Sequence, residues 1–335
     1  MAERTTVTQQ VQFGVESIPG VAAPANRLLQ ALGVEPTPQA SIQQFRPAGQ
    51  KYTTITALGQ EWIQANLSGA ATYTELIYPL SSILEGSVAP VAGSSGAYEW
   101  TFATHPGAPD STKTFTIEQG SSVRAHRFTN AIVTALGLNI TRQQIELSGT
   151  LIAAALEDGV AMTAAPTAIP LVPILPTQVD VFLDNDAADI GTTQLDRAFV
   201  ANLQLGDRFT PFWPIDSRLG ASFGGVVEGV PTATLNLTMA ADATGMGILS
   251  KLRQGGTVFV RIQATGPEIE VGHNYSLTID MACQVGDVNS FEDQGGIYSV
   301  SWPLVLVRDP DWGQVIEVTV VNDQADLGDG DGGGV

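Results

Sequence analysis

The chain is patterned mainly in short runs in which apolar and polar residues alternate. "EWIQANLS" (61–68), "FTIE" (115–118), "IELSGTLIA" (145–153), "ATLNLTM" (233–239), "LTID" (277–280) and "EVTVVN" (317–322) are of this kind. A period of two sends successive side chains to opposite faces of a strand, and the Val, Ile, Thr and aromatic content suits a pleated, half-buried surface. Two stretches depart from that period. Leu76, Ile77, Leu80, Ile83 and Leu84 recur at helical spacing, as do Met246, Leu249 and Leu252. Thr72 and Asp242 stand where helix N-caps are needed, because each side-chain oxygen can accept from a free N–H of the first turn. Glu75 completes a Thr-x-x-Glu capping box. Gly86 and Gly255 are the expected C-terminal stops. Pro79 falls inside the first helix and is expected to kink or shorten it.

The two helical stretches sit in similar surroundings. "NLSGAATYTELIYPL" (66–80) and "NLTMAADATGMGILS" (236–250) share Asn-Leu, a hydroxyl residue, Ala-Ala and an apolar run. Downstream, Ala103-Thr104 with Pro106 matches Ala264-Thr265 with Pro267, "FTIE" matches "LTID", and "IELSGTLIA" matches "YSVSWPLVLV" from Tyr298. Collinear matches at similar spacing indicate a tandem duplication of a mostly-β unit with one helix. The boundaries that follow are an extended N-terminal arm (1–48), a first β unit (49–160), a Pro-rich connector (161–178), a second β unit (179–310), and a C-terminal strand with a flexible acidic tail (311–335). Pro166, Pro170, Pro173 and Pro176 break the most apolar stretch and make it a stiff connector rather than a membrane helix. The arm and the connector are expected to lie on neighbouring units, and the tail beyond Asn322 to be mobile.

Composition narrows the function. Apolar residues make up 44% of the 335 positions and charged residues 15%, enough for a sizeable core. The net charge of −19, from 34 acidic and 15 basic residues, argues against a protein that grips nucleic acid, since that grip needs Lys and Arg to displace counterions. Cys283 is the single cysteine, so neither an intrachain disulfide nor a Cys-based zinc site is expected, and it is read as a small buried apolar residue. The N-terminal stretch lacks an apolar core of signal-peptide length, and cytoplasmic synthesis is expected.

Candidate chemistry is sparse. His105, His126 and His273 lie at no helical metal-binding spacing, and neither a nucleophile elbow nor a phosphate loop occurs. Asp184, Asp186 and Asp189 in "DNDAAD" lack the glycine and distal Glu of a calcium loop and read as a solvated turn. Asp326, Asp329 and Asp331 belong to one Asp/Gly stretch, too few for a calcium β-roll. Trp62, Trp100, Trp213, Trp302 and Trp312 fall in or beside strand-like runs and suit core or interface positions. No catalytic residue, cofactor or metal is expected. In "FTIE" and "LTID", Glu118 and Asp280 alternate with the apolar residues and are expected at equivalent positions on the face opposite the core.

Taken in succession, "FGVESIPGVAAPANRLL", "YTTITALGQEWIQANLSGAATYTELIYPLSSIL", "FTIEQGSSVRAHRF", "LIAAALEDGVAMTAAPTAIPLVPILPTQVDVFLD", "GDRFTPFWPID" and "EVTVVN" resemble the tail tube (major tail) proteins of long-tailed bacteriophages. The resemblance covers most of the chain and rests on extent, not on a single motif. It implies a mainly-β fold of two tandem tail-tube-type β-sandwich units, each with one flanking α-helix, whose inner sheets join into a ring-shaped β-barrel on oligomerisation. It further implies a structural virion component, assembled in the host cytoplasm, that stacks as rings into a conduit with an acidic lumen for double-stranded DNA. The DNA would pass without specific binding. Partners would be other copies of the chain and the tape-measure, tail terminator and tail-tip proteins, with no membrane involved. With two units per chain, three chains would close a pseudo-hexameric ring, and Glu118 and Asp280 would form an acidic collar if their face were the lumen. The alternative is an acidic β-rich module that binds carbohydrate or another protein. A glycoside hydrolase with paired carboxylates is a third reading, but no pair is singled out.

Overall fold

The computed structural model describes residues 6–328 apart from positions 122, 287 and 289. Among the described residues the fold is mainly β, with 54% in strands and two α-helices. The first half comprises β1 (Gln10–Val15), β2 (Arg27–Leu29), β3 (Leu32–Phe45), β4 (Ile55–Ala70), α1 (Ile77–Ile83), β5 (Glu85–Pro90), β6 (Tyr98–Ala103), β7 (Phe115–Gly120), β8 (Ala125–Thr141), β9 (Ile145–Ala153) and β10 (Glu157–Val160). After β11 (Thr167–Ala168) the second half follows. It comprises β12 (Val179–Asp184), β13 (Ala198–Gly206), β14 (Phe209–Phe212), β15 (Gly225–Glu228), β16 (Thr232–Ala240), α2 (Ala243–Gln254), β17 (Thr257–Glu270), β18 (His273–Val285), β19 (Glu292–Gln294), β20 (Ile297–Leu306) and β21 (Ile316–Asn322).

Nineteen strands form one connected sheet, and β14–β15 is a separate hairpin. One strip runs β3–β4–β9–β8–β13–β16–β20 and crosses from the first half to the second at β8–β13. A second strip, β12–β17–β18–β21–β6–β5, crosses between halves at β21–β6. The long strand β8 takes part twice, pairing with β7 and β10 through its beginning and with β9 and β13 further along. Core residues of both strips meet: Leu136, Leu138, Leu147, Leu203 and Leu205 surround a small apolar void with Leu76, Leu80, Ile279 and Val318.

The pairings recur between halves. β1–β7, β3–β4, β4–β9, β8–β9, β7–β8 and β8–β10 have counterparts in β12–β17, β13–β16, β16–β20, β18–β20, β17–β18 and β18–β21. Individual hydrogen bonds recur as well. Ala71 N donates to Ile145 O at 3.2 Å, and Ala241 N donates to Tyr298 O at 2.9 Å. Just before the helices, Glu75 N donates to Thr72 Oγ1 (3.0 Å) and Gly245 N to Asp242 Oδ1 (2.9 Å).

Several expectations change. Residues 10–45 are not a free arm. They supply β1 to β3, because Val11, Phe13, Leu29, Leu32 and Val34 are buried apolar positions. The connector is extended, but it lies on its own chain. β11 pairs in parallel with β2, Ile169 and Ile174 are buried, and Ile174 N donates to Ala71 O at 3.0 Å. The first residues of the predicted tail are docked: Arg27 pairs with Asp326, Asn26 Nδ2 donates to Gly328 O at 2.8 Å, and Leu327 is buried. Asp329 and Asp331 lie outside the described residues.

Helix α1 begins only at Ile77, one turn after the predicted cap Thr72, and all seven of its residues are buried. Pro79 thus falls in the first turn, where its missing N–H has no intrahelical acceptor to lose. Leu84, not Gly86, ends α1, and Gly86 belongs to β5 beneath the Phe102 ring, where a Cβ would lie 2.6 Å from the ring edge. Gly255 closes α2 in the left-handed conformation at φ 64°, with Gly256 N donating back to Lys251 O. The box at Glu75 does not form. Its carboxylate instead accepts from the backbone N–H groups of Gln30, Ala31 and Leu32.

Candidate functional site

The strip that crosses at β8–β13 has two unlike faces. One carries Ile63, Ala65, Leu67, Leu136, Leu138, Leu147, Leu203, Leu235, Leu237 and Trp302, all buried. The other is built by the alternate positions, and cross-strand register arranges these in transverse rows. One row reads Ala70, Glu146, Asn139, Asn202, Asn236 and Pro303 from β4 to β20. The next reads Gly33, Ser68, Ser148, Gly137, Gln204, Thr234 and Val305. A third begins Glu35, Asn66, Thr150 and Ala135.

These rows hold amides, hydroxyls and small residues, two carboxylates (Glu35 and Glu146) and no cation. The groups partly satisfy one another: Gln204 Nε2 donates to Asn202 Oδ1 at 2.8 Å, and the hydroxyls of Thr134 and Thr150 lie 3.0 Å apart. A Cβ at Gly137 would lie 2.6 Å from Gln204 Nε2 and 2.9 Å from Ser148 Oγ, so those two side chains would have to swing aside to admit one. Such a face offers hydrogen bonds to water but no fixed positive charge to hold a polyanion.

Glu118 and Asp280 are not on this face and are not equivalent. The pairings match β7 with β17 and β8 with β18, whereas "FTIE" is β7 and "LTID" lies in β18. Both faces of β7 are covered, so the alternation there does not mark an exposed side. Thr116 Oγ1 accepts from Ala23 N at 2.9 Å, and Glu118, 3% exposed, accepts from Thr163 N at 2.5 Å. Glu118 therefore fastens the connector. Asp280, 8% exposed, holds Arg261 in a bidentate pair at 2.6 and 2.7 Å and stands beside Glu317 across the β18–β21 ladder. Hydrogen bonding to Asp280 raises the Arg261 pKa, and desolvation followed by the Asp280 charge raises that of Glu317. Asp242 caps α2 as its residue type requires, whereas Thr72 is not the N-cap of α1: Leu76 holds that position, and the Thr72 hydroxyl accepts from Glu75 N in the turn ahead of the helix.

Other polar groups tie the halves together. Arg208, just before β14, is buried and pairs with Asp110, whose side chain is fully buried, and, at 3.2 Å, with Glu228. Asp110 also accepts from His105 N at 2.7 Å, and His105 Nε2 lies 3.3 Å from Glu85 Oε2. Glu85, His105 and Asp110 are the set among the described residues whose ligand atoms lie close enough to share a metal ion. Both acids are already engaged, Asp110 by Arg208 and Glu85 by Ser111 N at 2.8 Å.

Asp184 is buried rather than solvated. Desolvation opposes its ionisation, but hydrogen bonds from Thr193, Thr192 and Gly191 outweigh it and hold the pKa below the usual range. Cys283 is fully buried, which pushes its thiol pKa up. Sequence reasoning missed Glu16, which accepts from Gly20 N, Thr114 Oγ1, Thr116 Oγ1 and Asn130 N. Those partners are scattered over more than a hundred positions and leave no local signature.

No family model matches the chain, and no curated protein matches its sequence.

Proposed function

We propose that the protein is the subunit of a bacteriophage tail tube, built from two tandem β-sandwich units. The observation that carries this reading is the repeated set of pairings, together with the sheet that runs unbroken across the β8–β13 seam. A unit that joins its own duplicate edge to edge already contains the contact from which a ring is made. Three chains would supply six units. With about 24 inner strands ~4.8 Å apart and tilted ~45°, the circumference is about 160 Å and the backbone diameter ~50 Å. Side chains leave room for a hydrated duplex. The polar, cation-free rows would then line the lumen, repelling phosphate weakly through Glu35 and Glu146 and binding it nowhere.

The β3–β4 hairpin supports stacking of such rings. Its strands are 14 and 16 residues long, and Ile42, Phe45, Tyr52, Ile55 and Leu58 toward its tip are all more than half exposed. A two-stranded ribbon with that much bare apolar surface gains from a partner. Other partners in this reading are the tape-measure, terminator and tail-tip proteins, and the site of action is the virion tail.

The test is negative-stain microscopy of concentrated protein with native mass spectrometry. Rings or tubes whose repeating layer holds three chains are expected. Monomers without higher-order particles across salt and concentration would overturn the reading.

A further inference from the structure

The duplication allows the seam between chains to be read from the seam within one. The matched bonds Ala71 N to Ile145 O and Ala241 N to Tyr298 O make Tyr298 the counterpart of Ile145. Counting back from Thr72 and Asp242 makes Leu237 the counterpart of Leu67. Val34 faces Leu67 and Ala201 faces Leu237, so Val34 corresponds to Ala201. Ile145 faces Ile140 and Tyr298 faces Asp293, so Asp293 corresponds to Ile140. Inside the chain Ala201 is opposite Ile140, flanked by Val200 opposite Thr141 and Asn202 opposite Asn139. β19 thus occupies the place held by the end of β8 in the first half.

Resting on the ring reading above, we infer that β3 of one copy pairs antiparallel with β19 of the next, setting Gly33, Val34 and Glu35 opposite Gln294, Asp293 and Glu292. The ladder is short, because β19 has three residues, the following Pro36 and Pro38 donate no hydrogen bond, and Val34 O already accepts from Gln119 Nε2 at 2.5 Å, leaving the Val34 N–H as the donor to β19. Exposure supports the assignment independently. Leu138 and Ile145 are 4% and 5% exposed, whereas their counterparts Phe291 and Tyr298 are 59% and 77% exposed and pack edge to face on each other. A second copy seated at β19 would cover these two rings.

The same register carries a penalty. Where the inner seam sets Asn202 opposite Asn139, the outer one sets Glu35 opposite Glu292, and like charges directly opposed weaken a strand pair. Association is therefore expected to strengthen with salt. Charge exchange tests the register. Glu292→Lys and Glu35→Lys are both at exposed positions, and each should lower the dissociation constant by about five-fold per seam. The double variant opposes Lys to Lys and should return to wild-type affinity or weaker. Analytical ultracentrifugation reads all four proteins, with thermal melts confirming that each is folded. If the double variant associates more tightly than either single one, net charge alone is acting and the register is wrong, while the ring reading stands. If no protein associates at any salt concentration, both fail.

Discussion

Replacing Glu75 separates two accounts of one residue by the size of the loss. As the far end of a capping box it would contribute about 1 kcal/mol. In the fold its side chain is fully buried and receives N–H groups from Gln30 (2.5 Å), Ala31 (3.0 Å) and Leu32 (2.9 Å). Hydrogen bonds to an ionised acceptor contribute roughly 1.5–3 kcal/mol each, and a buried donor left unpaired costs about 1–3 kcal/mol. The terms overlap and local relaxation recovers part, so Glu75→Ala should cost about 3–5 kcal/mol, as for a broken buried pair. Glu75→Gln should rescue little, because its NH2 group would point a donor at donors. Thr72→Ala, which removes only the hydroxyl that accepts from Glu75 N, should cost about 1 kcal/mol. Urea unfolding followed by circular dichroism gives the three values, and hydrogen exchange at residues 30–32 localises the loss. A Glu75→Ala penalty near 1 kcal/mol, with exchange at 30–32 unchanged, would refute the anchoring argument.

Removing residues 324–335 should expose Trp100, whose Nε1 donates to Gln324 O at 2.9 Å, and should red-shift tryptophan emission; unchanged emission would mean the docked segment contributes no shielding. Glu317 has a pKa raised above its ordinary 4.5, first by desolvation and then by Asp280. An acid with a raised folded-state pKa binds more protons in the folded chain, so its contribution is most favourable below 4.5 and declines as pH rises through the folded value. Glu317→Gln should flatten that decline, measured as the urea midpoint of the variant against wild type between pH 4 and 7, and parallel pH profiles would count against it.

The strands were legible where one face is core and the other solvent. "ATLNLTM" and "IELSGTLIA" lie in β16 and β9 with the expected alternation of exposure. The Asp242 cap and the Gly255 stop were equally local, and so was the match of Ile145 with Tyr298. What failed was non-local. β7 alternates in sequence but is covered on both faces, by the N-terminal segment and the connector, so "FTIE" was set against the wrong strand. Within 10–45, β1 does alternate, with Val11, Phe13 and Val15 against Gln12 and Gly14, but β3 is buried only at its start, at Leu32 and Val34, so the rest of the segment carries no strand signal. The docked tail is held by Arg27 and Asn26, about three hundred residues away in sequence. The polar rows could not be read at all, since they exist only through the register of seven strands.

That register also makes the conduit reading testable without touching the fold. Asn139, Asn202 and Asn236 stand opposite one another on adjacent strands of the polar face, with Asn202 at the middle of the row. Asn202→Lys adds one cation per chain at a partly exposed site, hence three per ring if three chains close it, repeated at every layer of a tube. A duplex carries one negative charge per ~1.7 Å of its axis, so each layer would gain contacts that release counterions and hold the DNA. Asn202→Asp leaves the shape nearly unchanged and adds repulsion instead. In assembled particles the Lys variant should slow DNA release markedly at low salt and recover at high salt, where the interaction is screened. The Asp variant should release DNA at least as fast as wild type. Equal release by the Lys, Asp and wild-type particles at low salt would mean that this face does not meet DNA, and the sheet would then have to be assigned to a different surface of the assembly.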